Sequence, residues 1–289
     1  MRIFKYRIGA KQFEEQFFKG LSGLFTLGLI LLLFTIIFEI LQKGFPELSW
    51  AMLSQTPKGG FYFGKEGGIL NAIVGSVYLA IGASLLALLI ALPVALYLNI
   101  VLVKYNKLQN SIRFILDILW GVPPIVYGAF GFALMLALGI KTSLLAGIIT
   151  VAFLITPIMT RAMDEVIQSI PIGLLEASYS LGATRFETAF KIFFRQALPG
   201  IATAFLLGFS KGIGDTAAVL FTAGYTDYVP ENLMEPVATL PLAIFYQLGS
   251  PIPEVKARAY AAAVILTVII LIISLTSRIL SSKLSKNAN

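Results

Sequence analysis

Asn71 to Val103 reads NAIVGSVYLAIGASLLALLIALPVALYLNIVLV, and no charge interrupts it before Lys104. A bilayer core of ~30 Å is crossed by about 20 apolar residues in an α-helix. This stretch is long enough and apolar enough to do so, which makes the chain an integral membrane protein. Composition agrees. The 289 residues are 57% hydrophobic and only 13% charged, with a mean hydropathy of +0.86, whereas soluble domains are roughly a quarter charged. Disordered, collagen-like, coiled-coil and most soluble enzyme classes are thereby excluded. The chain has no Cys and no His. Disulfides, thiolate nucleophiles, Cys/His zinc sites and Ser-His-Asp or Cys-His catalysis are excluded as well.

Five further apolar runs lie outward from this one: Leu21 to Leu41, Val122 to Ile140, Leu144 to Thr160, Ala197 to Gly224 and Tyr260 to Ser277. Leu240 to Leu248 is apolar but too short to span. It reads as an interfacial or re-entrant piece among Pro236, Pro241 and Pro251. The expectation is an all-α integral membrane protein with six transmembrane helices. Residues 1–20 form an amino-terminal segment and 21–289 a single membrane domain, because open sheet edges do not persist in lipid. The first run is too long for a signal-peptide core and no A-x-A site follows it.

The net charge is +7. In a membrane protein, basic residues concentrate in cytoplasmic loops. With the amino terminus inside, the inner stretches hold fifteen Lys and Arg and the outer ones six. The outer loop, 225–255, carries Asp227, Glu231, Glu235 and Glu254 and no basic residue. Both termini are expected in the cytoplasm, and the positive charge requires no nucleic-acid partner. Gly59 to Glu66, GGFYFGKE, is one residue short of a Walker A pattern, since Glu66 stands where Ser or Thr would hold Mg²⁺. It reads as a glycine-rich turn, and no cofactor or metal is expected on this chain.

Two segments carry the functional signal. In the fifth run, Ser210-Lys211-Gly212-Ile213-Gly214-Asp215-Thr216 places two charges at membrane depth, where each costs at least ~2.5 kcal/mol near the centre. Lys211 and Asp215, four apart, share a helix face that extends through Ala204, Gly208, Ala218 and Thr222. That stripe is either a self-neutralising pair in a helix interface or the lining of an anion pathway, with Ser210, Thr216 and Thr222 as polar companions. Gly208-x-x-x-Gly212 permits close helix approach, and Gly212 with Gly214 permits a local break. The second segment is the loop 161–196. There Ser169 is expected as an N-cap, Pro171 in the first turn and Gly182 at the terminus of a short amphipathic helix. An apolar face of this kind suits either a lipid interface or the groove of a partner protein. Arg113 and Asp117, four apart just before Pro123-Pro124, are expected to pair.

Glu176-Ala177-Ser178, then Gly182 and Ile192, resembles the EAA loop of ABC importer permeases. Ser178 stands at its third, usually Ala, position, and Phe194-Arg195 replaces the usual Leu-Pro. Lys211-x-x-Gly214-Asp215-Thr216-Ala217 is similar to the Arg-x-x-Gly-Glu-Thr-Ala signature of phosphate importer permeases, with Lys for Arg and Asp for Glu. Lys lacks the bidentate fork that Arg offers phosphate. Gly67-Gly68-Ile69, Gly75-Ser-Val-Tyr-Leu79 and Gly121-Val-Pro-Pro-Ile-Val-Tyr-Gly128 resemble further pieces of that family, the A-type rather than the C-type branch.

The resemblance implies a type I importer-like permease fold in the cell (inner) membrane and a non-catalytic transport subunit. It implies coupling through Glu176, Ala177, Ser178, Leu181, Gly182 and Ala183. The implied partners are a C-type permease, an ATPase dimer that uses ATP and Mg, and an extracytoplasmic phosphate-binding protein. The implied substrate is phosphate. The alternatives are another oxyanion, such as molybdate, tungstate or sulfate, or an ATP-independent carrier.

Overall fold

The computed structural model describes residues 2–58 and 66–286, most of them in helices. The Gly59 to Lys65 part of the Walker-like stretch lies outside the described residues. The chain opens with α1 (Arg2–Gly44) and α2 (Trp50–Ser54), followed by β1 (Pro57–Lys58) antiparallel to β2 (Glu66–Gly67), with Pro57 opposite Gly67. Then come α3 (Leu70–Ile100), α4 (Asn106–Gly121), α5 (Pro124–Leu138) and α6 (Leu144–Gln168). Next are α7 (Ile172–Ser180), α8 (Arg185–Glu187), a π-helical segment (Thr188–Phe193) and α9 (Phe194–Ile213). The last helices are α10 (Leu240–Leu248) and α11 (Pro253–Lys286). Among the described residues five helices are long and apolar enough to cross a membrane, and α4 with α5, bent by 95°, makes a sixth when counted as one broken span.

The core is the α3–α6 seam. Ala83, Ala87, Ala91 and Ala95 recur every fourth residue of α3, and all are fully buried. They share one core cluster with Val151, Ile155, Met159 and Met163 of α6. Small residues at helical spacing let the two backbones approach closely, and van der Waals packing then holds them where lipid supplies no hydrophobic drive. α9 packs on the same α6 face through Ala197, Ile201 and Ala204.

α4 is an element that the apolar runs do not reveal. It is amphipathic, burying Leu116 while Phe114, Ile115 and Trp120 stay exposed. Pro123 and Pro124 separate it from α5, because proline removes a backbone donor and clashes with the preceding turn.

The expected helix over Ala197 to Gly224 is corrected. α9 stops at Ile213, and 214–239 is irregular. Irregular backbone at membrane depth survives only when protein or a wet cavity satisfies it. Here Ser143 N–H donates to Thr222 O (3.0 Å) and Val237 N–H to Ala223 O (2.9 Å). Asn71 Nδ2 donates to Thr226 O at 2.6 Å, and Leu240 N–H to Ser76 Oγ at 2.7 Å. The fourth span is likewise longer than expected, since α6 runs on to Gln168 instead of ending at Thr160.

Candidate functional site

The loop helix forms where the spacing placed it, with a different cap. Ser169 closes α6 rather than opening α7: its Oγ donates to Val166 O (2.7 Å), and the residue before α7 is Pro171. Pro171 has no donor to lose, so it begins the helix without side-chain help. At the other end Gly182 takes φ +79°, a left-handed conformation that other residues adopt at a cost. Ala183 N–H reaches Ser178 O (3.1 Å) and Gly182 N–H reaches Tyr179 O (3.0 Å). This pair of bonds is the Schellman termination.

α7 is anchored on one side only. Leu175 and Ser178 are buried, whereas Glu176, Ala177 and Gly182 are exposed, Leu181 is 89% exposed and Ala183 is half-buried. Ser178 Oγ shares a 2.8 Å hydrogen bond with Thr188 Oγ1. That bond ties α7 to the π segment, which continues without interruption into α9. A capping box at Thr184 and Glu187 starts this rod. From Arg185 to Ile213 the rod is continuous and extends roughly 40 Å at 1.5 Å per residue.

At that far end the expected stripe splits in two. Ala204, Gly208 and Gly212 are buried against α6. A Cβ on Gly208 would come within 2.5 Å of Met159 Cε, and one on Gly212 within 3.3 Å of Val151 Cγ1. Lys211 is not on this seam. It lies on an exposed face with Thr203 and Leu207, while Ser210 is half-buried. Asp215 does not share the helix face with Lys211 either, because the helix ends at Ile213 and Gly214 closes it. Asp215 is 8% exposed, and its carboxylate accepts the Ala218 N–H at 2.8 Å. The side chain thus satisfies a donor of the turn that follows, as Asp does in capped turns. Thr216 is half-buried in this turn, and Thr222 is fully buried with its hydroxyl donating to Ala218 O at 3.3 Å. No ion pair joins Lys211 to Asp215 among the described residues.

A second polar centre escaped the sequence reading. Asp164 of α6 is fully buried. Arg113 of α4 grips it through two hydrogen bonds of 2.9 Å, from Nε to Oδ2 and from Nη2 to Oδ1. Arg161 Nη1 (2.6 Å), Asn99 Nδ2 of α3 (2.7 Å) and Gln168 Nε2 (2.9 Å) complete the shell. The expected Arg113–Asp117 pair is therefore corrected: Asp117 accepts instead from Arg161 Nε at 2.6 Å. A buried carboxylate without partners is far costlier than a half-exposed one, so Asp164 claims both guanidinium groups. The i,i+3 spacing of Arg161 and Asp164 was the available signal. Ending the fourth span at Thr160 hid it.

The geometry describes a helical bundle with an outward-facing helix on the rod that leads to a broken, charged segment. The family model for "Binding-protein-dependent transport system inner membrane component" matches residues 87–286. The chain belongs to this family. It is a multi-pass membrane transport component. The "phosphate transport system permease protein PstA" of Haemophilus influenzae is 32% identical over 268 residues, covering 90% of this chain and 92% of that one. The "probable phosphate transport system permease protein PstA" of Methanocaldococcus jannaschii is 34% identical over 269 residues, covering 91% and 92%. Two solved transporters share the family fold. A chain of a bacterial alginate ABC transporter matches with a TM-score of 0.63 at 15% identity, covering 92% of this chain and 95% of that one. A chain of the MetNI methionine ABC transporter, in inward-facing form, matches at 0.61 and 20% identity, covering 74% and 95%.

Proposed function

We propose that this permease forms half of the translocation pathway of an ATP-driven phosphate importer, with Lys211 as the residue that attracts the anion. The exposure of Lys211 at the end of a spanning helix carries the proposal. A cation at membrane depth that faced lipid would cost at least ~2.5 kcal/mol, so this face needs a second protein surface. A C-type permease packed there would enclose a pathway with Lys211 on its wall. Asp215, held by the Ala218 N–H, stays close enough to moderate the positive potential. An ion must enter readily and also leave, and a lone Lys beside an acid suits passage better than retention. Ser210 and Thr216, both half-buried, offer hydroxyls nearby, whereas Thr222 is enclosed and spends its hydroxyl on Ala218 O. The names of relatives about a third identical over nine-tenths of the chain support phosphate as the anion.

Coupling follows from the rod. An ATPase dimer would seat on the exposed side of α7, around Glu176, Ala177 and Leu181. Its closure on ATP would move α7, and Ser178–Thr188 would pass the motion to α9. The break at Gly214 lets that end of the helix move without dragging the irregular segment that follows. An extracytoplasmic phosphate-binding protein delivers the substrate, and this chain performs no ATP chemistry itself.

The test is uptake of labelled phosphate into proteoliposomes holding the permease pair and the ATPase, with binding protein supplied. Uptake is expected to require ATP and to be lost in Lys211→Ala while the complex still assembles. Full uptake by that variant removes Lys211 from the pathway. Uptake stimulated by sulfate or molybdate but not phosphate replaces the substrate.

A further inference from the structure

We propose that the carboxyl end of α3 and the turn between α7 and α8 form a binding site for an anionic phospholipid. Two adjoining cavities meet there. One, of about 400 Å³, opens between Val101 and Lys104 on one side and Tyr179, Thr184 and Arg185 on the other. The second, of about 300 Å³, shares Ile100, Val101 and Arg185 with the first. It continues between Pro93, Leu96 and Tyr97 of α3 and Phe186 and Phe190 of the following helix.

The two parts differ in chemistry. The first has a cationic rim, and neither Lys104 nor Arg185 forms an ion pair with a described carboxylate. The second is apolar and extends from Ile100 back to Pro93, about 10 Å along the helix axis. The Phe186 and Phe190 rings, 4.7 Å apart, form its other wall. A phosphodiester headgroup on the rim with an acyl chain in the groove satisfies both. Basic residues at the membrane surface attract anionic lipids for the same electrostatic reason.

A soluble partner fits less well. Pro93, Leu96 and Tyr97 belong to a helix long and apolar enough to cross a membrane, so acyl chains are the natural neighbours of that part of the groove. The groove also borders the π segment through Ala189 and Phe190. Single π turns inside helices often mark functional positions, and this one joins α7 to α9. A lipid seated here steadies the joint through which motion passes. The proposed site does not depend on the identity of the transported anion.

The full-length protein in detergent micelles doped with phosphatidylglycerol or phosphatidylcholine gives the test, with bound lipid read by native mass spectrometry. Phosphatidylglycerol is expected to be retained in preference to phosphatidylcholine. Lys104→Ala and Arg185→Ala should each weaken its binding about five-fold, at ~1 kcal/mol per basic residue. Phe186→Ala should weaken both lipids alike. All three side chains are exposed, so the variants should keep the fold, which monodisperse elution checks. Equal retention of the two lipids by the unaltered protein overturns the proposal, as does unchanged affinity in the Lys104→Ala/Arg185→Ala double variant. Displacement by millimolar inorganic phosphate alone reassigns the rim to free phosphate and also overturns it. Displacement by the ATPase subunit reassigns the surface to a protein contact, with the same consequence.

Discussion

Asp164 and Asp117 are two carboxylates on facing helices, and both meet Arg161. Their burial separates their energetic weight. Asp164 is fully enclosed between Arg113 and Arg161, whose side chains are 18% and 17% exposed, whereas Asp117 is 49% exposed. Removing the charge of Asp164 leaves the partly buried Arg113 guanidinium without a carboxylate and Arg161 with Asp117 alone. Asp164→Asn is expected to cost roughly 3–5 kcal/mol. Asp117→Asn, in the more solvated pair, should cost no more than about 1 kcal/mol. Thermal unfolding of the two variants in one detergent checks the ranking, and equal losses would show that Asp164 is not the hub. Only the Arg161–Asp164 interval was visible from spacing. Arg113 and Asp117 sit at an attractive local interval, but the stronger partner comes from another helix, and a linear reading does not weigh burial across helices. Lys211 shows the complementary case. Its charge marked it in the sequence, yet which face it occupies depends on how α9 rotates to seat Gly208 on Met159.

Helix ends decide how the pieces move. Gly182 terminates α7 at φ +79° with nothing near its Cβ position, so the cost of Ala there is conformational rather than steric. Gly182→Ala should cost about 1–2 kcal/mol. Gly173, inside the same helix and also in open space, should gain up to about 1 kcal/mol on change to Ala. Amide hydrogen exchange across 172–183 distinguishes the two, with faster exchange expected in the first variant and slower in the second. The reverse order would show that α7 is held by its anchors and not by its termination. If α7 is the coupling helix, Gly182→Ala should also loosen the link between ATP hydrolysis and transport.

A tighter constraint holds the α9–α6 seam. Gly208→Leu drives a branched side chain into Met159 and Ile155, and overpacking of this kind costs about 1–3 kcal/mol. Unchanged stability and uptake in that variant would mean the two helices separate freely. The existence of these helices was legible, because apolar runs and a Gly after a periodic stretch are local signals. The end of α9 was less so. Gly212 and Gly214 allow a break, but only the capture of the Ala218 N–H by Asp215 and the backbone bonds to Ser143 and Val237 make the broken form stable.

At the scale of the whole molecule the arrangement of the first and last spans bears on orientation. The carboxyl end of α1 meets the early part of α11, where Gly44 packs on Tyr260 and Val264 and the Lys43 ammonium lies 5.0 Å from the Tyr260 ring centre. The span window of α1 is otherwise unburied by its own chain. Such an apolar cylinder is stable only with lipid or another subunit around it. The asymmetry of Lys and Arg predicts α7 inside and the acidic 225–255 loop outside, and the absence of native Cys makes that prediction directly measurable. Any introduced thiol is unique. Leu181→Cys, at an 89% exposed position beside Gly182, and Met234→Cys, at a 63% exposed position in the acidic loop, should report opposite sides. In intact cells a membrane-impermeant maleimide is expected to label Met234→Cys and not Leu181→Cys. Inverted membrane vesicles should exchange the two results. Labelling of both thiols from one side would place α7 and the acidic loop on the same face, and α7 could then no longer serve as a docking helix for a cytoplasmic ATPase.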